Sequence, residues 1–304
     1  MNTALVIGVI ATSIASGTSL LYATLGELIG ERAGVVNLGL EGIMLIGAST
    51  GFAATALTGS PHLGITAACA AGAAANLVFA YVVVARAANQ LAAGLSLMFF
   101  GFGLSALLGR PFVGALVSGL PHLAPFGAAP ASAGARLLNH DLLVYLAVPA
   151  AAFVWWVVFR TRWGLALRAV GENPGVAFAA GFRPNVLRYQ ALAIAGALGG
   201  LAGAHVSVAL TQTWAEGMTA GRGFIAIALV IFAKWNPLWA IAGALLFGGA
   251  ESLQLQLQAA GADVSPFIMN MLPYGLTLLV LIVWGWRRQS AAPAALGRSF
   301  VGVE

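Results

Sequence analysis

Eight stretches of this chain run for roughly twenty residues with scarcely a charge, and a ninth runs for about ten. They are Ala4–Leu25, Val35–Leu57, Leu63–Val84, Leu91–Gly109, Leu142–Phe159, Gln190–Leu210, Phe224–Ala233, Leu238–Leu257 and Phe267–Trp286. A hydrocarbon core is crossed by about 20 helical residues, so runs of this length belong in lipid. Composition agrees. Charged residues are 8% of 304 and the mean hydropathy is +0.93, which leaves too few charges to clothe a soluble fold. The 39 glycines suit helices that must approach closely. The chain is therefore expected to be an all-α polytopic membrane protein of about 8–10 transmembrane helices, with residues 1–304 as one transmembrane domain. Phe224–Ala233 is too short to span upright. It reads either as a half-helix or as a segment joined to its neighbour across Trp235-Asn236-Pro237.

The net charge of +5 comes from basic residues scattered between apolar runs, so no nucleic-acid partner is expected. Arg160, Arg162, Arg168, Arg183 and Arg188 share one loop, and Arg287, Arg288 and Arg298 lie in the tail. Arg86 and Lys234 fit the same side, while Arg110, Arg136 and Arg222 are left for the other. The positive-inside rule puts the Arg-rich loop and the C-terminus in the cytoplasm, and counting back puts the N-terminus outside. Pro111–Asp141 becomes a long outer loop, and Trp155, Trp156, Trp163, Trp284 and Trp286 mark inner membrane interfaces. The start, MNTALVIGVIATS, has no basic n-region, so no cleaved signal peptide is expected. A single cysteine, Cys69, allows no intrachain disulfide and no Cys-based metal site.

Three constellations carry chemistry. In Gly30–Ala48, Asn37 and Glu41 are four apart and would share one helical face. An ionisable group at membrane depth is costly and faces a bundle interior or a watered path. Two readings stand: the segment shapes the translocation path, or Glu41 satisfies backbone groups of a broken helix. In Thr161–Tyr189, Asn173 is a good N-cap, Pro174 suits the first helical position and Gly181 can end the helix. A short helix Pro174–Ala180 follows, its side chains mostly small, with Phe178 as an anchor for a partner's groove or for the membrane surface. In the third, Glu251, Gln254 and Gln258 form one polar stripe. It would either line an aqueous path or bond neighbouring helices. Asn76, Asn89, Gln90, His205 and Asn270 are isolated polar residues and are expected to serve packing.

The absences narrow the function. There is no G-x-x-x-x-G-K-[ST] loop and the only lysine is Lys234, so this chain is not expected to hydrolyse ATP itself. No nucleophile elbow, no H-E-x-x-H and no metal-ligand spacing of histidines is present, so no catalytic or metal site and no cofactor are expected.

Taken in order, GERAGVVNLGLEGIMLIGA, GLALRAVGENPGVAFAAGF, GRGFIAIALVIFAKWNP, LLFGGAESLQLQLQ and MLPYGLTLLVLIV resemble the permease subunits of ABC importers. The branch is that of nucleosides and simple sugars, related to ribose and branched-chain amino acid permeases. The resemblance implies a vitamin-importer-like helix bundle in the cell (inner) membrane. It implies three partners: an ABC ATPase subunit, a second related permease in a heterodimer, and an extracytoplasmic substrate-binding protein. It also implies that loop 160–189 is the cytoplasmic coupling loop, with Arg168, Gly171, Glu172, Asn173, Pro174, Ala177, Phe178 and Gly181 meeting the ATPase. Asn37, Glu41, Glu251, Gln254 and Gln258 would belong to the translocation path. AKWNP departs from the Gly-rich turn common after the corresponding half-helix in the family. The implied solute is a nucleoside or purine-type base, for which Phe99, Phe100 and Phe102 offer stacking faces. A pentose or other simple sugar is the alternative. A stand-alone secondary transporter would need intramembrane ligands for a coupling ion, for which only Glu41 and Glu251 qualify.

Overall fold

The computed structural model describes residues 3–123, 137, 139–259, 271, 275, 278, 279, 282 and 292–298. Its helices are α1 (Thr3–Arg32), α2 (Leu40–Thr58), α3 (Pro61–Ala80), α4 (Gln90–Gly109), α5 (Leu142–Arg160), α6 (Arg162–Glu172), α7 (Pro174–Ala179), α8 (Pro184–Ala204), α9 (Arg222–Phe232) and α10 (Pro237–Ala259). Among the described residues seven helices are long and apolar enough to cross a membrane: α1, α2, α3, α4, α5, α8 and α10. The shorter α9 is separate from α10, as a half-helix. The expected segment Phe267–Trp286 lies largely outside the described residues, as do Arg136, Asn270, Arg287 and Arg288.

Local chemistry starts and stops these helices. Asn89, Asp141, Thr161 and Asn173 each accept backbone N–H groups as N-caps of α4, α5, α6 and α7. Gly59, at φ +71°, closes α2 in the left-handed conformation. Turns of π-helix, Tyr81–Ala85 and His205–Leu210, lengthen α3 and α8.

Burial separates the centre of the bundle from its outside. Of the most apolar window of each span, 72% is buried in α2 and in α8, against 28% in α4 and 33% in α5. The centre is built on small residues. A Cβ on Gly47 would sit 2.4 Å from the Gly200 Cα, and one on Gly72 would sit 2.3 Å from the Gly196 carbonyl oxygen. Lipid tails are as apolar as leucine, so contact between helices in a membrane rests on such close backbone approach. Phe99, Phe100 and Phe102 are exposed on the outer face of α4.

Two expectations are corrected. First, α1 does not end at Leu25 but runs unbroken to Arg32, taking Glu27 and Glu31 into the bundle. Second, α2 starts at Leu40, so Asn37 and Glu41 do not share a helical face. Residues 33–39 turn back without helix. Gly34, at φ +88°, makes that turn, and Glu27 Oε1 accepts the Asn37 N–H at 2.9 Å.

Candidate functional site

The break between α9 and α10 contains Lys234 at φ +50° and Trp235 at φ +54°. Left-handed backbone costs a non-glycine residue roughly 1–2 kcal/mol, so neighbours must hold this turn in place. The end of α1 does so. Arg32 Nε and Nη2 both donate to the Trp235 carbonyl, at 3.2 and 2.9 Å, and Glu31 accepts the Trp235 indole N–H at 2.5 Å. The two bonds from the Arg32 guanidinium have a charged donor, and such bonds contribute about 1.5–3 kcal/mol each, enough to offset two strained residues. The turn thus forms without glycine.

The other end of α9 is held as firmly. Thr219 Oγ1 and the Gly221 N–H donate to Glu41 Oε1 at 2.6 and 2.8 Å, and the Gly223 N–H donates to Glu41 Oε2 at 2.6 Å. A carboxylate at a helix N-terminus also complements the helix dipole. Between those two amides, Arg222 pairs with Glu251 on α10 and donates to Ser19 Oγ on α1. Ser19 lies thirteen residues before Arg32, so this end of α9 sits about 20 Å above the Arg32 level, well inside the membrane. Arg222 therefore lies at membrane depth rather than on the outer surface. Its side chain is 12% exposed and that of Glu251 is 25% exposed, so their ion pair is partly open. Gln254 follows one turn along α10, half-buried, and Gln258 beyond it is exposed.

Asn37 sits apart from this cluster. Its side chain donates to Asn76 Oδ1 at 2.8 Å and accepts from the Gly39 N–H at 2.7 Å, and Asn76 donates to the Leu192 carbonyl at 2.6 Å. The network staples the α1–α2 turn to α3 and α8. Gln90 holds the same turn, accepting the Val36 N–H at 2.9 Å and donating to the Arg298 carbonyl at 2.8 Å.

The helices of residues 160–189 follow the expected caps. Asn173 accepts the Val176 N–H at 3.1 Å, Pro174 opens α7 and Gly181, at φ +88°, follows its end. Ala177 is buried, while Val176 is 64% and Phe178 53% exposed, so α7 turns an apolar surface outward. Gly171 lies against the end of α1, where an added Cβ would be 2.2 Å from the Arg32 carbonyl oxygen. Arg168 stacks on Phe159 with 5.2 Å to the ring centroid, and Glu172 accepts the Ala294 N–H at 3.2 Å. Both are thus engaged within the chain.

Residues 9–282 match the family model described as branched-chain amino acid transport system / permease component. The chain belongs to that permease family. The permease is 31% identical to the guanosine ABC transporter permease protein NupQ of Bacillus subtilis, with 96% of each chain covered. It is 30% identical to the nucleoside ABC transporter permease protein NupC of Lactococcus lactis, again over 96% of each. It is 38% identical to TsgC13 of Haloferax volcanii, provisionally named a glucose ABC transporter permease, over 96% of this chain and 97% of that one.

Sequence reasoning about the permease missed Glu27, Glu31, Arg32, Thr219 and Trp235. A signal was present for three of them: Glu27, Glu31 and Arg32 put charge at one end of an apolar run, where it is costly without partners. Asp141 Oδ2 lies 3.4 Å from the fully buried His205 Nε2. Among the described residues no cluster of three His, Cys, Asp or Glu side chains could hold a metal ion.

Proposed function

We propose that this permease is the membrane subunit of an ABC importer for nucleosides or purine-type solutes in the cell membrane, driven by a separate ATPase subunit. The observation that carries the reading is the end-to-end similarity to permeases named for guanosine and nucleosides, over 96% of each chain. A second reading, import of a simple sugar, is favoured by the 38% identity to TsgC13.

On this reading residues 1–304 form one transmembrane domain and loop 160–189 is its cytoplasmic coupling loop. The exposed apolar surface of α7 supports it as the knob entering a groove of the ATPase, since a water-facing Val176 and Phe178 are covered by such docking. The roles proposed around them are graded by geometry. Asn173, Pro174 and Gly181 shape α7, Ala177 seats it, and Gly171, Arg168 and Glu172 hold its base to the bundle. Outside, a binding protein delivers solute to the loops before α5 and α9. A second, related permease completes the path.

The path runs along the polar stripe of α10. Glu251, Gln254 and Gln258 line it outward from the Arg222 ion pair, and Glu41 and Asn37 shape its wall from behind through the contacts of α9 and of the α1–α2 turn. ATP binding by the partner must favour one arrangement of the path over the other, because only differential binding shifts an equilibrium.

The test is purification of the tagged chain from its native membranes in mild detergent, with mass spectrometry of what accompanies it. The expected companions are a P-loop ATPase and a related permease. Recovery of the chain alone, still moving solute in vesicles without ATP, would replace this reading with a secondary transporter.

A further inference from the structure

Four segments of the chain meet at the cytoplasmic end of α9. Arg32 closes α1 and donates twice to the Trp235 carbonyl. Its own carbonyl lies under Gly171, at the base of the coupling segment. Its guanidinium stacks on Phe159, 5.3 Å from the ring centroid, and Arg168 of α6 stacks on the same ring. Residues 292–298 then close over the junction. Ala295 N–H donates to the Gly171 carbonyl at 2.9 Å and Gly297 N–H to the Gly34 carbonyl at 3.4 Å. Leu296 packs with Leu28, Val230 and Trp235.

This junction joins the base of α7 to a helix whose other end lies at the path. From Trp235, α9 rises as a rigid rod of 11 residues, about 16 Å. Its upper end carries Arg222 and is gripped by Glu41 and Glu251. The lower end is a strained turn at Lys234 and Trp235 that persists only while its neighbours hold it. A short helix gripped at both ends moves as a unit when one grip moves.

We propose that Arg32 is a positioning residue that ties the coupling segment to α9, so that motion of α7 on the ATPase displaces the Arg222 end of α9 at the path. The proposal rests on the assignment of α7 as the coupling helix. No solute needs to be known to test it.

The experiment uses the full chain in its purified complex with the ATPase, in nanodiscs. Cys69 is replaced by alanine, and spin labels are placed through Phe224→Cys on α9 and Thr58→Cys at the end of α2. The interlabel distance is measured by pulsed electron paramagnetic resonance, with and without a non-hydrolysable ATP analogue. The distance is expected to shift with nucleotide. Arg32→Gln is expected to lose the shift while the ATPase stays bound, and Arg32→Lys, which can still donate to the Trp235 carbonyl, to retain part of it. If Arg32→Gln does not insert, Trp235→Phe removes the Glu31 bond, keeps an aromatic ring and is expected to reduce the shift. A merely structural role would lower recovery and melting temperature without removing the nucleotide response. A shift of full size in Arg32→Gln, or in Trp235→Phe where Arg32→Gln does not insert, would overturn the proposal, as would no shift in the parent chain. Absence of the ATPase from the parent complex would instead count against the importer reading itself, and the proposal would fall with it.

Discussion

Glu41 caps α9 through the Gly223 N–H, 2.6 Å from its carboxylate, across 182 positions of sequence. Glu251 takes the guanidinium of Arg222, the residue next to Gly223. Two carboxylates from α2 and α10 therefore grip the same end of one half-helix, one through backbone and the other through a side chain. The arrangement explains how a loop can enter the membrane before α9: its polar groups at 219, 221 and 223 are satisfied by Glu41 rather than by water.

Replacing Gly223 by alanine is expected to break this grip. The added Cβ would lie 2.5 Å from the Glu41 backbone nitrogen and 2.6 Å from its Cα, neither of which can swing away. Overpacking of this kind costs about 1–3 kcal/mol. The melting temperature in detergent should fall and transport should be lost. Wild-type values for both would show that α9 is not seated against α2.

Glu41→Gln is the gentler change at the same place. The amide keeps one accepting oxygen and turns a donor towards N–H groups, so α9 is held less well. Solute turnover is expected to fall while the amount of ATPase retained on the chain stays the same. Unchanged uptake would leave Glu41 without a part in the path.

The caps were legible from sequence, and the grip on α9 was not. Asn173, Pro174 and Gly181 act within a few residues of one another, so they mark α7 to within one residue of its observed end. The glycine-rich runs likewise announced close packing, and it occurs where α2, α3 and α8 cross. Glu41 and Glu251 were visible as costly charges and Arg222 was assigned to the outer side, but the partners lie about 180 and 29 positions away, and no local pattern links them. Asn37 was placed on a helix because four-residue spacing carries no mark of the backward turn that Gly34 and Glu27 impose.

At the coupling segment, Gly171→Ala should be far more damaging than its one added methyl suggests. That methyl would meet the Arg32 carbonyl oxygen at 2.2 Å and push α6 off the end of α1. Phe178→Asp, on the exposed face of α7, should leave the fold and melting temperature unchanged and yet abolish ATP-driven uptake. Measured side by side, the two separate a base that must pack from a surface that must dock. Full uptake by Phe178→Asp would remove α7 as the docking element.

Asp141 is both the N-cap of α5 and the neighbour of buried His205. Burial alone would raise its pKa, but the neighbouring His205 imidazole, with the N–H groups of Val144 and Leu143, holds it below the ordinary 3.8. A depressed carboxylate stabilises the fold above its unfolded pKa and loses that contribution as the pH falls through its folded value. Thermal stability should therefore drop on acidification below the ordinary carboxylate range, and Asp141→Asn should flatten that part of the profile while keeping a cap. Asp141→Ala should cost about 0.5–2 kcal/mol at neutral pH through the lost cap. An acid limb of the same steepness in Asp141→Asn would assign the pH dependence elsewhere.

The most direct measurement is uptake of labelled guanosine by proteoliposomes holding this chain with its co-purified ATPase and permease partners, its binding protein added outside and ATP inside. The account predicts accumulation that requires ATP, is competed by other nucleosides rather than by glucose or pentoses, and is lost in Phe178→Asp. Uptake that proceeds without ATP, or that glucose or a pentose blocks and nucleosides do not, would contradict it.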